Sequence, residues 1–237
     1  MILYKNESHS IIGIFNSSNS KTGPLVQTWI LENESGNGGF CEDCTSDKLC
    51  YVFRGKKAVQ TKFKEGRYEE IQVNLEKKRV RLGAYGDPCV FPLSVWKDEL
   101  KVKKHTGYTH QWRKPHAQEY KSFVLASVED LESYHLAKSL GWKVFYNLLD
   151  VYLGDISLDQ VLQETNMIEC PNSTQDLTCF ECMLCDGAKK SKDIYIHPHG
   201  NRLSKKNARR TLDRSKEQNE ELIKSWLLDR SIFELSI

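Results

Sequence analysis

The chain has 237 residues, of which 39% are hydrophobic and 28% charged, with a formal net charge of +2. That balance excludes a disordered chain and leaves apolar material for one large α/β domain or two small ones. No apolar run is long enough to span a bilayer, and the near-neutral charge gives no whole-molecule case for nucleic acid, so such a case has to come from a local patch. The opening Met1-Ile-Leu-Tyr-Lys-Asn-Glu7 lacks the basic-then-apolar order of a secretory leader. The expectation is a cytoplasmic chain, away from any membrane, whose thiols stay reduced.

In chain order, Ile11–Asn16 and Leu25–Leu31 read as strands separated by turn residues. A glycine-rich loop over residues 32–40 leads to Cys41, Cys44 and Cys50. Lys56–Lys77 predicts a helix interrupted near Gly66, and Arg79–Tyr85 a strand that runs into Gly86-Asp-Pro-Cys-Val-Phe-Pro92, a loop fixed by its glycine and prolines. Ser94 predicts a cap for a helix over Val95–Lys101, and Thr106–Trp112 reads as strand-like. Ser122–Ser127 is a strand pattern. Ser127-Val-Glu-Asp130 resembles a capping box ahead of a helix over Asp130–Leu140, which Gly141 ends before a strand at Trp142–Leu148. A short helix at Asp155–Glu164, short strands at Asn166–Glu169 and Asp193–His197, and a charged helix from Ser204 to about Leu228 complete the chain.

This alternation predicts an α/β fold, a partial parallel (β/α) barrel with cysteine-rich loops at the carboxyl-terminal rim of its strands. The G-x-G-x-x-G turn of a dinucleotide fold is missing. Residues 1–200 form the core carrying both cysteine groups, and residues 201–237 a C-terminal helical tail packed on it.

Four of the eight cysteines, Cys170, Cys179, Cys182 and Cys185, fall in one stretch, the last three spaced C-x2-C-x2-C. Thiolates suit zinc or iron–sulfur clusters, and grouped thiols in a reducing compartment point to metal before disulfide. A four-iron cluster (4Fe-4S) is the favoured occupant and structural zinc the alternative. Cys41, Cys44 and Cys50 form a second group whose three thiolates leave one coordination position open for a small molecule; with zinc, Cys89 or a histidine is the candidate fourth ligand. Cys89 between Pro88 and Val90 otherwise reads as a packed thiol.

His110, amid aromatics, is a candidate acid–base group or ligand if it faces the rim, and a satisfied core residue if it does not. Asp87 is a candidate catalytic carboxylate or a turn-former. His197 and His199 flank a proline and read as ligands or as a polar loop. Arg202, Lys205, Lys206, Arg209 and Arg210 form the one concentrated basic patch, a candidate phosphate contact or a solvated helix face balanced by nearby glutamates.

Arg81-Leu-Gly-Ala-Tyr-Gly-Asp-Pro88, Thr106-Gly-Tyr-Thr-His-Gln-Trp112 and the Cys170–Gly187 stretch, with Leu49-Cys-Tyr51 and His199-Gly200, resemble the poorly characterised phage gene-product-88 family from roughly Cys41 to Gly200. That resemblance implies a phage or mobile-element origin and brings no established activity. A three-cysteine loop after an early strand of an α/β barrel, followed by a four-cysteine site, also looks like the radical S-adenosylmethionine (SAM) enzymes with an auxiliary cluster. There three cysteines hold a four-iron cluster whose open iron binds SAM. Cys41, Cys44 and Cys50 would take that role, in C-x2-C-x5-C spacing against the family's usual C-x3-C-x2-C, with Gly86-Asp87 nearest to its Gly-Gly-Glu segment. The alternatives are a metal-stabilised module that binds nucleic acid or a host protein, and an iron–sulfur nuclease, whose cysteine spacing is similar.

Overall fold

The structure, a computed structural model, describes residues 1–17, 19–40, 44–50, 56–188, 190, 192–200 and 202–234, with residues 56, 57 and 228–234 as backbone alone. It is a mixed α/β fold built on two open sheets. The first is ordered β1 (Ile2–Lys5), β2 (His9–Ile14), β3 (Val26–Glu32), β4 (Arg79–Tyr85), β5 (Lys104–Thr106). Its first three strands pair antiparallel, and β3, β4 and β5 pair parallel. The second runs β6 (Tyr108–Thr109), β7 (Leu125–Val128), β8 (Val144–Asn147), β10 (Ile194–Ile196), β9 (Ile168–Glu169), parallel throughout. Only Gly107 separates β5 from β6, so one stretch of chain joins the two sheets. Among the described residues these pairings give two five-stranded sheets and show no closed barrel.

Side chains alternate across the strands because the period is two. Val80, Leu82, Ala126, Val128, Val144 and Tyr146 face the main hydrophobic core. Arg81, Thr106, Tyr108, Ser127 and Phe145 take the opposite face by register. Tyr108 stacks on Phe145 at 4.9 Å between ring centroids and meets His110 edge-on at 6.0 Å. This second face mixes Thr106, Tyr108 and Ser127 with the apolar Leu125, Phe145 and Ile194.

Several elements differ from the sequence-based expectation. Helix α1 (Lys56–Lys64) ends at Gly66, whose left-handed φ of 64° turns the chain. The segment beyond is extended, because Ile71, Val73 and Leu75 alternate in the strand period and pack inward. Ser94 makes no side-chain cap, and Val95–Glu99 is one π-type turn. The cap of α2 (Leu131–Ser139) is Asp130, which accepts from Ser133 N at 2.7 Å, and not Ser127, whose carbonyl accepts from the Trp112 indole. Two short helices, α3 (Leu149–Leu153) and α4 (Leu158–Glu164), follow β8; Ser157 and Gln160 form a capping box for α4. The cysteine-rich stretch carries α5 (Pro171–Thr174) and α6 (Cys179–Cys182), and α7 (Lys205–Glu234) ends the described chain. Among the described residues no helix is long and apolar enough to cross a membrane.

Candidate metal centres and the rim site

Cys170 follows β9 directly, its N–H bonded to Tyr195 O at 2.9 Å. Thr178 caps α6 in a capping box with Glu181, and Met183, at φ 52°, reverses the chain so that Cys185 returns beneath the helix. The Cys179 and Phe180 N–H groups bond Lys21 O and Thr22 O, while the Arg79 guanidinium lies over the Phe180 ring at 4.4 Å and donates to the Phe180 carbonyl. Cys185 O accepts from Gly107 N at 2.8 Å. Gly187 closes the stretch at φ 70°, where a Cβ would stand 2.6 Å from Val124 N.

These contacts bring Cys170, Cys179, Cys182 and Cys185 to one small, partly open pocket, lined also by Thr106 and Ile194. All four are free thiols. Burial raises the Cys185 pKa strongly, and Cys179, Cys170 and Cys182 push it further in the same direction. Burial likewise raises Cys179, opposed by Arg81, and Cys182. Deprotonating such a set requires a cation among the sulfurs, so the donor set fits a soft-metal group. One zinc would draw four sulfurs to about 3.8 Å from each other, given Zn–S near 2.3 Å. Among the described residues no three Cys, His, Asp or Glu side chains are grouped closely enough to hold a single ion.

The second group lies elsewhere. Cys41 falls outside the described residues; Cys44 and Cys50 bracket a single 3-10 turn, Asp47–Leu49. Thr45 and Ser46 donate to Glu129 Oε1 at 3.0 and 3.2 Å, fastening this loop onto the end of β7. His110, just past β6, has Nδ1 at 3.5 Å from the same oxygen, within ion-pair range but outside hydrogen-bond geometry. Burial pulls the His110 pKa down, and the Cys44 sulfur and the Glu129 carboxylate beside it outweigh that and hold it well above the usual range. Glu129 is fully buried, and among the described residues its Oε2 has no hydrogen-bond partner. An orphaned carboxylate oxygen beside the cysteine loop fits a site that takes a further polar group.

Asp87 is committed elsewhere: it accepts from Cys89 N, Thr109 Oγ1 and His110 N at 2.8–3.0 Å. Its role is to fix the turn that presents His110. Cys89 is 4% exposed within the hydrophobic core, and burial raises its pKa well above normal. His197 and His199 are exposed and lie outside the four-cysteine pocket. In the basic patch, Arg209 grips Asp155 with two bonds of 2.7 Å, while Lys205, Lys206 and Arg210 face solvent.

Two residues escaped the sequence reading. Glu129 looked like part of a helix cap. Its place one residue beyond a buried strand was the available signal. Arg113, three residues past His110, is 5% exposed and bonds Asn219, Ser133 and Ser215. Burial pulls its pKa down to about 10 against the pull of Glu129 and Asp130.

No protein-family model, curated protein or solved structure matches this chain.

Proposed function

We propose that this protein is an iron–sulfur enzyme of the radical SAM kind, of phage type, with its parallel strands acting as a partial barrel. In this reading Cys170, Cys179, Cys182 and Cys185 hold an auxiliary four-iron cluster, and Cys41, Cys44 and Cys50 hold the cluster that binds SAM. The observation that carries the reading is the docking of the Cys44–Cys50 loop, which follows the first parallel strand, onto Glu129 and His110 at the carboxyl ends of β7 and β6. Functional groups of parallel α/β folds gather at that end of their strands.

A four-iron cluster held by three cysteines supplies one-electron reductive cleavage of the SAM sulfonium. The chain's own residues do the rest. Thr45 and Ser46 hold Glu129 Oε1, which leaves Oε2 to accept from an ammonium or hydroxyl group of a bound molecule. Asp87 holds the backbone of His110 and Thr109, so the imidazole is presented on a rigid turn. Tyr108, stacked on Phe145 and edge-on to His110, supplies an aromatic wall beside them.

The test is protein purified without air, with iron, sulfide and zinc measured per chain, then incubated with SAM and dithionite. Iron and sulfide with release of 5′-deoxyadenosine are expected. Zinc alone, or iron with neither SAM binding nor cleavage, overturns the reading.

A further inference from the structure

The Cys44–Cys50 loop has little structure of its own. Its single turn rests on three local bonds, Asp47 N to Cys44 O at 3.3 Å, Leu49 N to Ser46 O at 3.0 Å and Cys50 N to Asp47 O at 3.4 Å. One 3-10 turn does not hold itself together in water, so the positions of its cysteines are set by what the loop leans on. On one side it leans on Glu129 through Thr45 and Ser46. On the other it leans on α7: Arg214 Nη1 lies 3.2 Å from Asp47 Oδ1, and Leu49 packs with Leu149, Ala208 and Leu212.

Helix α7 is in turn pinned to the strand end that carries His110. Arg113 Nε donates to Asn219 Oδ1 at 2.7 Å, and its Nη2 donates to Ser215 and Ser133, which Asp130 holds. A guanidinium buried in a network of short polar side chains fixes direction as well as distance. The start of the helix is seated by the Arg209–Asp155 pair.

We propose that α7 is a clasp for the rim loop, with Arg113 and Arg214 as positioning residues, so that metal occupancy at Cys44 and Cys50 depends on the seating of this helix while occupancy of the four-cysteine pocket does not. The inference rests on the reading of the rim loop as a cluster loop. Its structural half, control of the loop by α7, stands on the contacts alone.

The experiment uses the full chain. Arg214→Asp places like charges against Asp47; Leu212→Ala loosens the packing under Leu49; Asp47→Arg combined with Arg214→Asp restores opposite charges. Amide exchange in the protein as purified should rise about tenfold at Leu49 and Cys50 in the first two variants. It should stay unchanged at Cys182 and Cys185, and return to the wild-type value in the charge swap. After anaerobic reconstitution, iron per chain should fall by about half in Arg214→Asp and recover in the swap. Unchanged exchange and unchanged iron in both loosening variants overturn the clasp, as does faster exchange spread evenly over the chain. A wild-type chain that takes up iron only at the four-cysteine pocket ends the cluster reading of the rim loop, and the exchange data still decide the clasp.

Discussion

Thr45 Oγ1 donates to Glu129 Oε1 at 3.0 Å, across 84 positions of sequence, and ties the loop after β3 to the end of β7. Replacing Glu129 by Ala leaves two hydroxyls without their acceptor in a dry setting and should cost roughly 1–3 kcal/mol in urea unfolding. Glu129→Gln keeps an acceptor carbonyl for Thr45 and should cost clearly less. Equal losses from the two substitutions mean that the oxygen at Oε1 does not fasten the loop.

The four-cysteine pocket and the lone core thiol should separate cleanly. Cys182→Ser is expected to empty the pocket and lower the melting temperature, since metal binding at such a site adds to folding free energy. Cys89→Ala should retain all metal and cost about 1 kcal/mol, as the loss of a small packed side chain. Metal lost from the Cys89 variant would make that thiol a ligand.

Gly187→Ala tests whether the end of the cysteine stretch is sterically fixed. The added Cβ would meet Val124 N at 2.6 Å and Phe123 N at 2.7 Å, both backbone atoms of the chain entering β7, at a left-handed φ. A destabilisation of roughly 1–3 kcal/mol with loss of metal is expected. A variant that melts and binds metal like the wild type would show that the stretch can shift freely.

Asp150 gives a pH signature remote from the cysteines. Burial raises its pKa above the ordinary 3.8, although the Tyr146 hydroxyl and the Val151 and Leu131 N–H groups oppose the shift. With a raised folded-state pKa, the unfolded chain ionises first as pH rises. Stability therefore falls from about 3.8 upward and levels off once the folded carboxyl has also ionised. In Asp150→Asn that component disappears, so the stability difference between wild type and variant should narrow as pH rises through the window. A difference that stays constant with pH would put the carboxyl at its ordinary value.

Much of the strand framework was legible. Arg79–Tyr85 was readable because Val80, Leu82 and Ala84 alternate with residues of the other face. The unit β7–α2–β8 was readable because an apolar run, Asp130 and Gly141 punctuate it. The helix expected through Lys77 failed where Ile71, Val73 and Leu75 change from helical to strand spacing, a switch masked by the charges between them. The membership of the four-cysteine pocket was legible because its ligand candidates are close in sequence. The rim was not, because Glu129, Arg113 and the Cys44 loop meet only after β3, β6 and β7 are aligned. Nothing local in Ser127-Val-Glu-Asp130 distinguishes a capping residue from a buried carboxylate.

The single-residue join at Gly107 has a mechanical consequence. Thr106 lines the four-cysteine pocket and His110, four residues on, stands beside Cys44. The amide between them is held by the carbonyl of Cys185. The two sites thus hang on one stretch of chain, which Cys185 of the first site fastens one residue past Thr106.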